Sequence, residues 1–315
     1  MTSSGSAPRS LATRSVAALV INWNGAHDTL ELLSSLRKCQ CERLSITAVV
    51  VDNASAPDDV AALRAGILAL NGQVNVVLQE NKLNVGVPAA YNQAIQVAGL
   101  THDYYLRLDN DVVVEPRGLL AMVETLERRA ADGVAIVGGN IKYFDNQSDD
   151  NGGAVTIDLM SGTTSVAYPS TDVLCDGVLG CIMLVSGTLV RDFAPEVFES
   201  ALFVCTDESE LSMRAAKRGC RTLYLAQLIG FHKGGRSTTT VKSVANYYSA
   251  RNWTLHRLRY VSNRRQRLAV LLVRIPFDGL RNILRGRWAA VPGLVAGLGL
   301  AVAWHLDTHA RRGRC

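Results

Sequence analysis

The amino-acid sequence predicts an α/β fold built on a parallel sheet, on three observations. Apolar runs of strand length recur at residues 16–21, 46–51 and 74–78 without polar alternation, as strands covered on both faces require. Segments with helical apolar spacing separate them, giving strand–helix–strand units with right-handed crossovers. Polar clusters follow such runs at Asn22 to Asn24, Asp52 to Ser55 and Asp109 to Asp111, at the carboxyl ends of strands, where such sheets bind ligands.

Taken in order, residues 1–15 form a Ser/Ala/Arg-rich tail, expected to be disordered and lacking the apolar core of a signal peptide. Asp28 and Glu31 have capping-box spacing at the start of a helix carrying Leu30, Leu33 and Leu36. Pro57 opens the next helix, with Val60, Leu63, Ile67 and Leu70 at helical spacing. Within residues 80–92, Gly86 permits close backbone approach at a helix start, which suits an anionic ligand and equally an ordinary loop. Residues 106–114 read as a strand interrupted by Asp109 and Asp111. On a strand these two point to one face and Asn110 to the other. Such carboxylates repel unless a proton or cation relieves them; a divalent ion, Mg2+ or Mn2+, would do so and hold a diphosphate in turn. Two solvated aspartates at a strand end are the plain alternative.

A helix is expected from Pro116 to about Ala130, then a strand over 134–137 broken by Gly138 and Gly139, then a mobile loop over 145–153. Residues 178–185 read as one strand in which Gly180 and Cys181 pass close to a neighbour. Thr206 is placed to N-cap a helix whose first turn carries Asp207, Glu208 and Glu210, residues that the helix dipole alone would favour there. A strand over 223–229 runs on toward His232, which lies beside Gly230, Gly234 and Gly235 and is either a ligand or structural.

At 315 residues, 48% hydrophobic and 19% charged, the chain is globular. No G-x-G-x-x-G or Walker A loop follows the first strand, which argues against dinucleotide and P-loop chemistry. The net charge of +5 is unevenly spread, because only Asp278 and Asp307 oppose a dense arginine series from Arg251 to Arg314. Residues 265–288 mix six arginines with aliphatics and read as an amphipathic helix pair, broken near Pro276, suited to an anionic membrane surface. Residues 289–306 read as an interfacial or packed helix, short and glycine-interrupted for a spanning one. Arginines interleaved with aliphatics do not suit nucleic acid. Seven cysteines without C-x-x-C argue against zinc or a disulfide framework and favour a reducing, cytoplasmic setting.

In order and spacing these elements resemble glycosyltransferase family 2, inverting enzymes of the GT-A fold, with closest likeness to its rhamnosyltransferase-like bacterial branch. The matching stretches are Val20-Ile21-Asn22-Trp23-Asn24-Gly25, Val51-Asp52-Asn53-Ala54-Ser55, Asn84-Val85-Gly86 through Asn92, and Leu108-Asp109-Asn110-Asp111. Further on come Gly180-Cys181-Ile182-Met183-Leu184, Asp207-Glu208-Ser209-Glu210-Leu211, Phe231-His232-Lys233-Gly234-Gly235 and Tyr247-Tyr248-Ser249-Ala250-Arg251-Asn252. The resemblance implies a GT-A domain over 16–240 and a helical, basic-amphipathic extension over 241–315. It implies nucleotide-sugar contacts from Asn22, Trp23, Asn24, Asp52, Asn84, Gly86, Asn92, Asp109 and Asn110. A divalent metal would sit on Asp109, Asp111 and His232, and Gly180, Cys181 and Arg251 would face the acceptor. Glu208 would be the catalytic base with Asp207 beside it; the family's E-D pair is reversed here, so the base has an arm one methylene longer. The implied partners are a nucleoside-diphosphate sugar and a glycan, lipid-linked or small-molecule acceptor, at the inner face of a membrane. Two other readings stand beside it. One is a catalytically silent glycan- or nucleotide-binding partner; the other is a sugar nucleotidyltransferase, which the missing glycine-rich lysine loop disfavours.

Overall fold

The computed structural model describes residues 12–70, 72–234 and 242–312. Its first half alternates as expected: β1 (Arg14–Asn22), α1 (Ala26–Cys39), β2 (Leu44–Asp52), α2 (Pro57–Ala69), β3 (Asn75–Glu80), α3 (Val87–Ala98) and β4 (Tyr104–Asp109). A tight turn then leads to β5 (Val112–Val114), α4 (Pro116–Arg129), β6 (Val134–Tyr143), β7 (Asp150–Gly152), β8 (Ala154–Asp158), β9 (Thr163–Ala167), β10 (Val173–Cys175) and β11 (Gly177–Val178). After β12 (Ile182–Ser186) come α5 (Gly187–Phe193), α6 (Asp207–Lys217) and β13 (Arg221–His232). The chain closes with α7 (Lys242–Tyr260), α8 (Arg264–Ala269), α9 (Ile275–Leu284) and α10 (Ala290–Arg312).

The main sheet has the order β10-β13-β6-β12-β4-β1-β2-β3, with β5 on β13 and β7 on β6. β4, β1, β2 and β3 are parallel, whereas β12 enters antiparallel between β4 and β6. The unbroken apolar runs have the expected cause. Val16, Ala18 and Val20 bury into one core with α1, α2 and α4, while Ala17 and Leu19 bury into a second with α3. Register aligns the polar ends: Asn22 pairs with Asp52, Asp52 with Glu80, and Ile21 with Asp109.

Several expectations are corrected. Gly138 and Gly139 do not break a strand, since β6 runs through both; a Cβ at Gly138 would stand 2.6 Å from Val178, and one at Gly139 2.7 Å from Ile229. They are close-approach positions on a covered strand. Residues 150–152, expected in a loop, form β7 against β6. The run 178–185 is two strands, interrupted at residues 179–181. Asp28 and Glu31 do not form a capping box: Gly25 begins α1 without a side-chain cap, and both carboxylates bind Lys233 Nζ, Asp28 at 2.6 Å. Pro276 causes no break, because a π-helical stretch, Val270–Arg274, carries the chain from α8 into α9 and places the proline in its first turn. Among the described residues no helix is long and apolar enough to cross a membrane. Instead α10 packs along α7, where Gly293 and Gly297 let it close on the carbonyls of Tyr247 and Arg251. Of the tail expected over residues 1–15, residues 1–11 lie outside the described residues, while Arg14 and Ser15 are not disordered but open β1 beside β2. Gly235 and the expected domain boundary at 240–241 also lie outside the described residues.

Candidate active site

The site grows from the carboxyl ends of β1, β2 and β4. Asn22 is fully buried and donates to Asp52 Oδ1 (2.8 Å), Asp59 Oδ2 (2.9 Å) and Ser55 Oγ (3.2 Å), while accepting from Thr29 Oγ1 (2.8 Å). Asp52, 1% exposed, also accepts from Ser55 Oγ (2.6 Å) and Ser55 N (3.0 Å). These two residues therefore fold the pocket wall. Trp23, 40% exposed, and Asn24, in left-handed backbone at φ 53°, project from its rim.

Asn84 Oδ1 accepts from Gly86 N at 2.9 Å and from Asn53 Nδ2 at 3.0 Å. Gly86 (φ 85°) does require a glycine, but for a neighbour other than a ligand: a Cβ there would stand 2.6 Å from Phe203 O. Asn92 spends itself inside the protein, donating to Phe198 O (2.7 Å) and Ser200 Oγ (3.1 Å) and accepting from Phe198 N (2.9 Å).

Asp109 and Asp111 do converge, although a turn brings them together in place of strand alternation, since Asp109 ends β4 and Asp111 precedes β5. β13 pairs antiparallel with β5, with His232 opposite Val112. The carboxylate oxygens of Asp109 and Asp111 and an imidazole nitrogen of His232 consequently lie within 4.8 Å of one another. Asn110 turns away, with Nδ2 3.3 Å from both Gly25 O and Thr29 Oγ1. His232 Nε2 stands 3.1 Å from Asp111 Oδ1 yet is buried without an aligned hydrogen bond. Burial opposes charge on this imidazole, but contact with Asp111 and Cys181 prevails and raises its pKa to about 11. In this form a proton gives the relief that two carboxylates need. The set of two carboxylates, one orphaned imidazole nitrogen and a half-exposed Asp109 also fits a hard divalent ion. The other acidic group, His27, Asp28 and Glu31, has its carboxylates occupied by Lys233.

Arg107 is the residue that sequence reading missed. It sits on β4 in a run otherwise apolar, where a charge has to be paired. Its guanidinium lies 3.3 Å from Asp109 Oδ1 and 3.1 Å from Asp207 Oδ2, donates to Gly180 O, and covers the Tyr91 ring at 4.7 Å. Gly180 leaves room for it, since a Cβ would meet the guanidinium at 2.3 Å and Glu208 Cβ at 3.1 Å. Cys181 is buried and faces His232.

The three carboxylates of α6 have three fates, as the splay of neighbours around a helix requires. Asp207 is buried on Arg107; Glu210 is buried between Tyr260 Oη (2.6 Å) and Arg214 (3.0 Å). Glu208 is half-buried with no partner side chain among the described residues. Burial first, and then Asp207, push its carboxyl up to about 7, while Arg107 opposes the rise. Thr206 precedes the helix in left-handed backbone and makes no side-chain cap; its Oγ1 meets His256 Nε2 at 2.9 Å. Burial pushes that imidazole down to about 3 and keeps it neutral.

The turn leading into α6 is strained, with Phe203, Cys205 and Thr206 at φ 63°, 68° and 64°. Asn252 of α7, fully buried, holds it through Leu202 O (3.2 Å), Val204 O and Cys205 O (both 2.9 Å), and Arg251 donates to Ala201 O. Asn252→Ala is expected to lower stability by on the order of 1–3 kcal/mol by orphaning these carbonyls, as denaturant unfolding would measure. Wild-type stability would show that the turn holds itself.

Residues 18–171 match the family described as Glycosyl transferase family 2. Among solved structures, the mannosyltransferase PcManGT from Pyrobaculum calidifontis, in complex with GDP-Man and Mn2+, is 18% identical with a TM-score of 0.58, covering 98% of this chain and 83% of its own. S. aureus TarS is 14% identical at a TM-score of 0.55 over 85% of this chain, which spans 43% of TarS. GalNAc-T7 with UDP, GalNAc and Mn2+ is 12% identical at 0.59, over 82% of this chain and 55% of its own. At such identities the likeness shows the fold. A comparison with curated proteins gives no match.

Proposed function

Residues 18–171 match glycosyl transferase family 2, and we propose that the chain is a glycosyltransferase that moves a sugar from a nucleoside diphosphate to an acceptor hydroxyl with inversion. The observation that carries this reading is the juxtaposition, through Arg107, of the Asp109–Asp111–His232 group with the α6 turn bearing Glu208. Trp23, Asn24 and Asn84 line the approach for base and ribose, and Asp52 shapes it. Asn22 and Asn92 support the wall, their hydrogen bonds being spent within the protein. Gly180 and Arg251 border the acceptor side.

A divalent ion held by Asp109, Asp111 and His232 would supply charge neutralisation on the departing diphosphate. Mn2+ complexes of two structural neighbours support that choice of ion class. The acceptor hydroxyl attacks the anomeric carbon opposite the diphosphate, Glu208 takes its proton, and the bond from that carbon to the diphosphate oxygen breaks. Asp207, neutralised by Arg107, sets the position of the turn. A panel of sugar nucleotides, screened with manganese for protection against thermal unfolding, tests the donor site. One nucleotide should raise the midpoint, and a flat response to all would contradict the reading.

We also place the chain at an anionic membrane surface. Leu272, Phe277, Leu280, Leu284 and Trp288 are exposed on or beside α8 and α9, among the arginines of the same helices. Flotation with phosphatidylglycerol vesicles is expected at low salt and should weaken as salt rises. A chain that stays unbound at low salt would contradict this placement.

A further inference from the structure

A cavity of about 100 Å³ lies away from the sheet edge, between α7, α9, the start of α10 and the turn at Gly162. A water needs roughly 10–15 Å³ of such space, so a phosphate-sized group fits. Its polar lining includes Asn246, Arg257, Asp278, Arg281, Asn282 and Arg287. Three arginines converge there on one buried carboxylate. Arg257 Nη1 is 2.7 Å from Asp278 Oδ2, Arg281 Nη2 is 3.0 Å from Oδ1, and Arg274 Nε is 3.6 Å from Oδ2.

The cluster is short of negative charge. Arg257 is 3% exposed, and among the described residues its Nε, like those of Arg274 and Arg281, has no hydrogen-bond partner, nor has Asp278 Oδ1 an aligned one. Ser161 O accepts from Arg257 and from Arg274 (3.1 Å), but a carbonyl offsets only part of a buried cation's cost. Burial lowers the pKa of Arg257, and Arg274 and Arg281 add to that effect against the support of Asp278. The chain nevertheless keeps the guanidinium in place, since Gly162 (φ 62°) is where any Cβ would stand 2.1 Å from it.

We propose that this cavity is a binding site for a phosphate mono- or diester, held by Arg257 and Arg281 within and Arg287 at the rim. The guanidinium fork matches phosphate oxygens in pairs, and a bound dianion would balance the excess charge. The phosphate belongs either to a small soluble ester or to a lipid headgroup, whose chain the exposed apolar residues of α9 would meet. The site does not depend on the proposed sugar transfer.

The test uses the full chain in EDTA, so that no divalent ion assists phosphate binding at the sheet edge. Glycerol phosphate is titrated calorimetrically, and phosphatidic acid in phosphatidylcholine vesicles is compared with phosphatidylcholine alone. The Arg281→Ala/Arg287→Ala double variant should lose about tenfold or more in affinity, as removal of charge-assisted bonds implies. Arg128→Ala/Arg129→Ala, which removes equal charge on α4, outside the cavity and away from α8 and α9, should bind nearly as wild type. Should the first variant fail to fold, Asn246→Asp adds a carboxylate to the cavity wall and is expected to weaken binding similarly. Loss confined to glycerol phosphate assigns a soluble ester, and loss of phosphatidic acid binding assigns a headgroup. Equal loss in both double variants, or no saturable binding of either probe, overturns the site.

Discussion

Glu208→Gln is expected to slow single-turnover sugar transfer by on the order of 10²–10⁴, the usual cost of a missing general base, with donor affinity largely kept. Glu208 is the free carboxylate of its turn, because Asp207 is tied to Arg107 and Glu210 to Tyr260 and Arg214. Its pKa near 7 makes a base that is ionised at neutral pH and still basic, so the wild-type rate should fall about tenfold per pH unit below that value. Stability moves the other way. The folded pKa is raised above its ordinary 4.5, so the folded state holds the proton more tightly, and that contribution is complete below pH 4.5 and lost as pH rises through about 7. Gln does not titrate. The variant should therefore be the more stable protein at pH 8, by at most about 3 kcal/mol before solvent screening. A normal rate with reduced stability is what a helix-start role alone would give, and would move the base elsewhere.

Asp111→Ala should remove manganese-dependent nucleotide binding, with a loss beyond the roughly 10–100-fold seen when only a supporting residue of a metal site is changed. Asp111 is the buried member of its group and the contact of His232. The substitution falls in a turn at the sheet edge, so the strands should keep their pairing. Calorimetry with a nucleoside diphosphate, in manganese and in EDTA, reads the effect. Unchanged affinity independent of metal would remove these residues from the donor site.

Much of this was legible in the residues because sheets covered on both faces write unbroken apolar runs, and their ligand edge writes the polar residues that end them. Asp109 and Asp111 were legible that way, although the sequence could not show that a turn, and not strand alternation, joins them. His232, readable from its own surroundings as ligand or structural alike, is brought beside them by the pairing of β13 with β5. Arg107 was hidden by its position. It looks like one polar residue in an apolar strand, and only the fold brings Asp207 and Gly180 to it across 100 and 73 residues. Asn22, Gly86 and Asn92 matched motifs whose chemistry was legible, yet their partners here are protein groups that sequence spacing does not reveal. The glycines of β6 misled for the opposite reason, since a close-packed neighbour and a chain break ask for the same residue.

The most direct test of sugar transfer is to follow the reaction of the donor found in the nucleotide panel by phosphorus and proton magnetic resonance together. The expected result is release of a nucleoside diphosphate without pyrophosphate, with the transferred sugar carrying the opposite anomeric configuration to the donor. Release of pyrophosphate, or a product with retained configuration, would contradict it.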